Sequence, residues 1–252
     1  MIEAKNLSVG YGGTPVLRNV SLMIHPGQVL AVTGPNGSGK STLLKALAGL
    51  LPAAGGEILI DGQAVSVFSP RQLARTVAYL PQSRNVPEIT ALQLVLHGRF
   101  PYLSYPRRYR PCDQEIARTA MAQMGIADLA ERPLASLSGG QRQKVYIAMA
   151  LAQDTPAVLL DEPTTFLDVS HQLQLMDQAR LLADRGKAVV LVLHDLILTL
   201  EHADRLAVLH QGRIAACGDS ETVFQSSCLQ DVFGIAVRRF RAENRWRYYY
   251  DR

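Results

Sequence analysis

The sequence predicts an α/β fold with a mixed sheet core, an antiparallel β-layer and an inserted helical subdomain. Three observations carry that expectation. Four short runs, Val29 to Thr33, Val77 to Leu80, Ala157 to Leu160 and Ala188 to Leu193, are uncharged and mostly apolar throughout, as strands buried on both faces of a parallel sheet must be. Helical patterns alternate with them, Lys40 to Leu50 after the first run and Gln172 to Arg185 before the last, and this βα order builds such sheets. Between Gln82 and Ala157 no buried strand can be drawn. That stretch has helical periodicity at Ala91 to Gly98, Asp113 to Met124 and Gln141 to Gln153, around a loop from Phe100 to Pro111 rich in proline, arginine and tyrosine.

In chain order, the alternating segments Ile2 to Tyr11 and Val16 to Ile24, with Glu57 to Ile60 later, read as the antiparallel layer joined by glycine-rich turns. Arg205 to His210 and Arg213 to Cys217 flank Gln211-Gly212, a hairpin signal that closes the core. The expected organisation is one domain over residues 1–252. Its core spans about 1–83 and 156–237, the helical subdomain about 84–155 and a terminal hairpin about 235–252.

With 252 residues, 48% of them hydrophobic and 19% charged, the chain has globular rather than disordered composition. The apolar stretch from Ala188 to Leu200 is broken by His194 and Asp195 and is shorter than the roughly 20 residues of a membrane span. The first residues lack a basic region followed by an apolar core, so a cytoplasmic location is expected. Cys112, Cys217 and Cys228 have no CxxC spacing, and the histidines form no HxH or HxxxH pair, so no protein-only metal site is expected. Residues 238–252 hold six arginines against Glu243 and Asp251, a surplus equal to the whole chain's net charge of +4. Arginine mixed with aromatics is one form a nucleic-acid or lipid-headgroup surface takes. Period-2 patterning accounts for the same residues as a hairpin packing Trp246, Tyr248 and Tyr250 on one face, and no nucleic acid is expected.

The chemistry concentrates in a few places. Gly34-Pro35-Asn36-Gly37-Ser38-Gly39-Lys40-Ser41 matches GxxxxGK[ST] between a predicted strand and a predicted helix. Glycines let the backbone amides face phosphate oxygens, Lys40 can bridge the outer phosphates, Ser41 can ligate Mg2+, and Thr42 adds a phosphate contact. Asp161 and Glu162 end the strand from Ala157. At the C-terminal edge of a parallel strand they adjoin that loop, Asp161 as an Mg2+ ligand and Glu162 as a base for attacking water. His194 closes the next strand, where it can contact a γ-phosphate or remain a solvated histidine. Gln82, after Leu80 and Pro81, can orient water, touch Mg2+ or be an ordinary loop amide. Leu137-Ser138-Gly139-Gly140-Gln141 is a second phosphate-type turn opening a helix. One nucleotide already has a cradle around Lys40, Asp161 and Glu162, so these residues are expected to serve the neighbouring chain's nucleotide.

This ordered set, with Asp168, resembles the nucleotide-binding subunit of ATP-binding cassette (ABC) transporters over nearly the whole chain. The resemblance implies a P-loop NTPase (RecA-like) core, ATP and Mg2+ as cofactors, and ATP hydrolysis by a homodimer. It also implies two integral-membrane permease subunits, a substrate-binding protein as indirect partner, and a peripheral place on the cytoplasmic face of the inner membrane. By the same resemblance Tyr11 stacks on adenine, Gln82 couples the site to the permease and Asp168 communicates across the dimer. The arginines, tyrosines and prolines from Arg84 to Arg110, including Arg99 and Tyr102, are expected to give with Gln82 an adaptable surface for the permease, the other reading being a solvated loop over the helical subdomain. His97-Gly98-Arg99-Phe100-Pro101-Tyr102 and the stretch from Thr164 to Gln172 look like importers of iron-siderophore, haem and cobalamin. Thr165-Phe166-Leu167-Asp168 departs from the Ser-Ala-Leu-Asp common in other cassettes. The alternative reading is a soluble ABC ATPase without transport duty, such as an iron-sulfur assembly accessory.

Overall fold

A computed structural model of the protein describes residues 1–82, 86–243 and 245–251. Strands β1 (Ile2–Tyr11) and β2 (Thr14–Ile24) form a hairpin that reverses at Gly12 and Gly13, with φ of 56° and 84°. That backbone is open to glycine and strained for other residues. The core strand β3 (Val29–Thr33) and helix α1 (Lys40–Leu47) follow, and β4 (Gly55–Ile60) and β5 (Gln63–Ala64) return to the first layer. Helix α2 (Pro70–Thr76) leads to β6 (Val77–Leu80), then α3 (Ala91–His97), α4 (Pro111–Gln123) and α5 (Gly139–Ala152) come in succession. The core resumes with β7 (Ala157–Asp161), α6 (Val169–Asp184), β8 (Ala188–Val192), α7 (Leu196–His202), β9 (Arg205–His210) and β10 (Arg213–Gly218). Two short helices, α8 (Ser220–Gln225) and α9 (Cys228–Phe233), precede the hairpin of β11 (Ala236–Ala242) and β12 (Arg245–Asp251).

The first layer runs β2-β1-β4-β5, all antiparallel. In β1 the buried residues change phase from Ile2 and Ala4 to Leu7 and Val9. A register shift between Ala4 and Leu7, with Asn6 at φ 47°, makes that change, because a bulge turns the following side chains to the other face. The six-stranded sheet runs β10-β9-β3-β8-β7-β6, parallel except for β10. Successive residues of β7 face opposite cores. Ala157 and Leu159 pack towards the β-layer and α1, while Val158 and Leu160 pack towards the inserted helices. The continuous apolar run in the sequence is thus a strand covered on both sides.

Local signals set the helix ends. Thr90 with Gln93 and Ser138 with Gln141 form reciprocal capping boxes on α3 and α5, and Asp168 caps α6. Helix α4 starts at Pro111, two residues before the sequence pattern suggests, because proline suits the first helical turn. Helix α1 stops at Leu47, earlier than expected, before Gly49 at φ 69°. The unanticipated helices α2, α7, α8 and α9 have six or seven residues, too few for a helical period to show.

Candidate active site

Parallel strands in register deliver the functional residues to one edge. Val32 pairs with Val192, Val192 with Asp161, and Leu80 with Leu160. The residues that follow each strand, Gly34 after β3, His194 after β8, Glu162 after β7 and Gln82 after β6, therefore emerge side by side at the C-terminal edge, where open α/β sheets bind ligands. Gln82, Glu162 and His194 line a cleft of about 630 Å3 with Asn36, Gly37, Gly39, Lys40, Ser41 and Thr42.

The loop before α1 is shaped around Lys40. Gly39 adopts φ 106° at the helix start, and a Cβ there would lie 2.7 Å from Leu17 Cδ2. At Gly34 a Cβ would lie 2.1 Å from the Leu209 carbonyl oxygen. Both glycines thus permit a backbone approach that a side chain would block. Lys40 is buried, and its ammonium donates to the carbonyls of Gly34 at 2.8 Å and Pro35 at 3.0 Å. Burial pulls its pKa below the ordinary lysine value, against the opposing pull of Glu162 and Asp161. The amide of Ser38 donates to Pro35 O at 3.2 Å, while its buried hydroxyl has no partner.

At the end of β7, Asp161 is buried, and its Oδ2 accepts from the Tyr79 hydroxyl at 3.3 Å. Its Oδ1 is buried and unpartnered. Burial pushes the carboxyl above its ordinary pKa, and interactions with Ser41 and Tyr79 oppose that rise. A buried, unpaired carboxylate oxygen beside a serine hydroxyl fits the oxygen-donor set of a hard cation such as Mg2+. Glu162 has φ 50°, a left-handed conformation at a non-glycine residue. Its Oε1 lies 2.6 Å from His194 Nε2, and its Oε2 accepts from Gln82 Nε2 at 2.6 Å. The carboxylate is gripped from both sides at the mouth of the Lys40 loop.

Ser138 to Gln141 do not line this cleft. Ser138 Oγ accepts from Gln141 N at 3.2 Å, and Gln141 Oε1 accepts from Ser138 N at 3.0 Å. The exposed Ser138 hydroxyl keeps its proton for an outside acceptor. Phe166 packs beside Gly139 and Gly140 at φ 67°, with 79% of its surface exposed. Asp168 accepts from the amide of His171 at 2.9 Å and from the Ser170 hydroxyl at 3.0 Å, and these bonds hold its carboxyl below the usual range. Tyr11 is half exposed beside the Gly12-Gly13 turn and does not line the cleft, whereas Val16 of the same hairpin does.

Val16 and Tyr79 are site residues that the sequence reading missed. Neither has a motif, because strand pairing and layer packing bring them there. The expected surface from Arg84 to Arg110 needs correction. Arg84 lies outside the described residues, and Arg99 is not a surface group. It is only 6% exposed, donates to Asp113 Oδ1 at 3.2 Å and to Ala152 O at 3.0 Å, and stacks 4.0 Å from the Tyr102 ring centroid. A pairing carboxylate in α4 makes burial of that arginine tolerable, and nothing near Arg99 in sequence announces it. Phe100 and Tyr105 are the exposed aromatics of this segment.

A family model described as ABC transporter matches residues 17–165. A petrobactin import ATP-binding protein of Bacillus anthracis is 42% identical over 234 residues, covering 92% of this chain and 86% of its own. A hemin import ATP-binding protein of Streptomyces coelicolor is 44% identical over 241 residues, covering 95% and 85%. Among solved structures, a dimeric ATP-binding cassette in a post-hydrolysis state with ADP and Pi superposes with a TM-score of 0.77 at 28% identity, over 87% of this chain and 99% of its own.

Proposed function

This chain belongs to the ABC transporter family, and from that premise we propose that it is the ATP-hydrolysing subunit of an importer, acting as a homodimer on two integral-membrane permease subunits. The names of its relatives favour a chelated-iron or haem cargo, delivered by a substrate-binding protein that the ATPase does not touch. Among the described residues no helix is long and apolar enough to cross a membrane. A peripheral place on the cytoplasmic face of the inner membrane suits such a subunit. The soluble alternative, an iron-sulfur assembly accessory, draws no support from relatives whose names specify import.

The observation that carries this reading is the grip on Glu162 by His194 and Gln82 at the mouth of the Lys40 loop. Lys40 and the amides of Gly37 to Ser41 bind the outer phosphates of ATP, and Thr42 adds a contact. Ser41, Asp161 and Gln82 hold Mg2+, which when bound neutralises phosphate charge. Glu162 accepts a proton from water as the water oxygen bonds to the γ-phosphorus and the bridging oxygen leaves with ADP. His194 steadies the γ-phosphate and orients Glu162. Tyr11 stacks on adenine from the hairpin edge. Ser138, Gly139, Gly140 and Gln141 of one chain close over the nucleotide held by its partner, with Asp168 at the seam. The permease meets Gln82 and the exposed face around Phe100 and Tyr105. Arg71 and Arg75 brace that face by donating to Pro101 O at 2.9 and 3.0 Å.

The test is co-purification from membranes, followed by assay of ATP hydrolysis with and without cargo-loaded binding protein. Recovery with two permease chains and stimulation by loaded binding protein are expected. A protein that leaves the membrane alone and is never stimulated would overturn the importer reading.

A further inference from the structure

The C-terminal hairpin has no part in the reading above, yet it is fastened to the helix that follows His194. Its alternation divides the side chains as the register requires: Val237, Arg239, Tyr248 and Tyr250 share one face. Tyr248 is buried with Leu196 and Leu200 of α7 and meets the Phe224 ring edge-on at 5.3 Å. Arg239 pairs with Glu221 of α8 and lies over the rings of Phe224 and Trp246, at 4.5 and 4.0 Å. The hairpin is seated, and β12 runs along α7.

Both ends of α7 are tied to it. At the far end Glu201 accepts from Arg247 at 2.7 Å and from the amide of Tyr248 at 3.1 Å. At the near end Asp195 Oδ1 accepts from the amides of Ile197 and Leu198, at 2.8 and 3.1 Å. The remaining first-turn amide, Leu196 N, donates to Tyr250 Oη at 3.2 Å, and that hydroxyl donates to Asp195 Oδ1 at 3.4 Å. The first amides of a helix have no partner within it, so a tail residue completes this helix start. His194 is the next residue back. Its imidazole is 46% exposed, so packing alone does not fix it, and its aim at Glu162 depends on the backbone it shares with Asp195 and Leu196.

We propose that Tyr250 is a positioning residue of the ATPase site, holding the start of α7 so that His194 stays on Glu162. The inference rests on the catalytic reading of His194 given above. The hairpin becomes a brace through which contacts on the tail reach the γ-phosphate end of the cleft.

The substitution Tyr250→Phe keeps the ring and removes only the hydroxyl. The expected result is a fall in kcat of roughly two- to tenfold, the order that losing the bonds to the Leu196 amide and, at longer range, to Asp195 spans, with the KM for ATP and the melting temperature nearly unchanged. In the same variant the His194 imidazole resonance, identified by its loss in His194→Ala, should shift or broaden while those of His25 and His97 stay in place. If His194→Ala leaves kcat unchanged, the catalytic reading of His194 fails and takes this proposal with it. If His194→Ala disables the enzyme but Tyr250→Phe moves neither the His194 resonance nor kcat, the proposal alone is overturned.

Discussion

Two buried pairs of cation and carboxylate in this chain have nearly the same composition and opposite states. In the inserted helices, Asp113 is enclosed and both its oxygens are engaged, Oδ1 by Arg99 at 3.2 Å and Oδ2 by the Arg110 amide at 3.0 Å and guanidinium at 3.1 Å. At the sheet edge, Asp161 has one oxygen bonded to Tyr79 and one buried without a partner, while Lys40 donates to backbone carbonyls of its own loop. The two aspartates titrate in opposite directions. Burial raises both, but at Asp113 the bonds from Arg110 and Arg99 outweigh it and leave the carboxyl below its ordinary pKa, while at Asp161 burial prevails. The difference teaches which cluster is complete. Asp113 is satisfied by the chain itself and serves the fold, whereas Asp161 and Lys40 are arranged for groups the chain does not contain.

The largest effect that sharpens this contrast is expected at Glu162. Replacement by Gln keeps the size and the possibility of bonding Gln82 and His194 but removes the carboxylate proposed as the proton acceptor. We expect kcat for ATP to fall by about two to four orders of magnitude, with ATP binding and ATP-dependent dimerisation retained. Steady-state hydrolysis and sedimentation measure the two properties. A variant that still turns over rapidly would show that the cleft's grip on Glu162 serves structure, as the grip on Asp113 does.

The complementary change belongs to the satisfied pair. Asp113→Ala leaves Arg99 buried without its carboxylate and should lower folding stability by about 3–5 kcal/mol, read as a drop in the urea midpoint, with little change in the KM for ATP. The pH dependence has a definite sign. The folded pKa of Asp113 lies below the unfolded value, so its contribution is fully present above the unfolded pKa, about 3.9, and is lost as pH falls through the folded one. The gap between wild type and Asp113→Asn should therefore hold at neutral pH and shrink only in strong acid. A gap that closes near pH 6 would mean that Asp113 is not the group that titrates.

The same contrast explains what could be read from the sequence. The cleft was legible because its residues sit at the ends of uncharged strands or in a contiguous loop, and register alone aligns Gly34, Glu162, His194 and Gln82. The Arg99–Asp113 pair was not, because its partners lie 14 residues apart across an irregular loop and the burial of Arg99 depends on α5. An arginine in a polar, tyrosine-rich stretch reads as surface until its carboxylate is found. Tyr79 and Val16 were hidden for the reverse reason, since each reads as an ordinary strand residue. The terminal hairpin was visible from alternation, but its attachment to α7 was not, because six-residue and seven-residue helices carry no period to place them.

The smallest expected effect concerns Ser138, which belongs to neither cluster. Its cap is complete and its hydroxyl is exposed, so within one chain it completes nothing in the cleft. If the open positions around Lys40 are closed by a second copy, a purified heterodimer of Lys40→Ala and Ser138→Arg chains has one composite site with both residues native and one with both altered. Such a dimer should hydrolyse ATP at about half the wild-type rate when the two sites act additively, while each homodimer is inactive. If Ser138 served the nucleotide of its own chain, the heterodimer would have no intact site and would be as inactive as its parents. The cleft around Lys40 and the unpartnered Asp161 Oδ1 would then have to be completed without the partner's Ser138, and the distinction between a closed cluster and an open one would end at the boundary of the single chain.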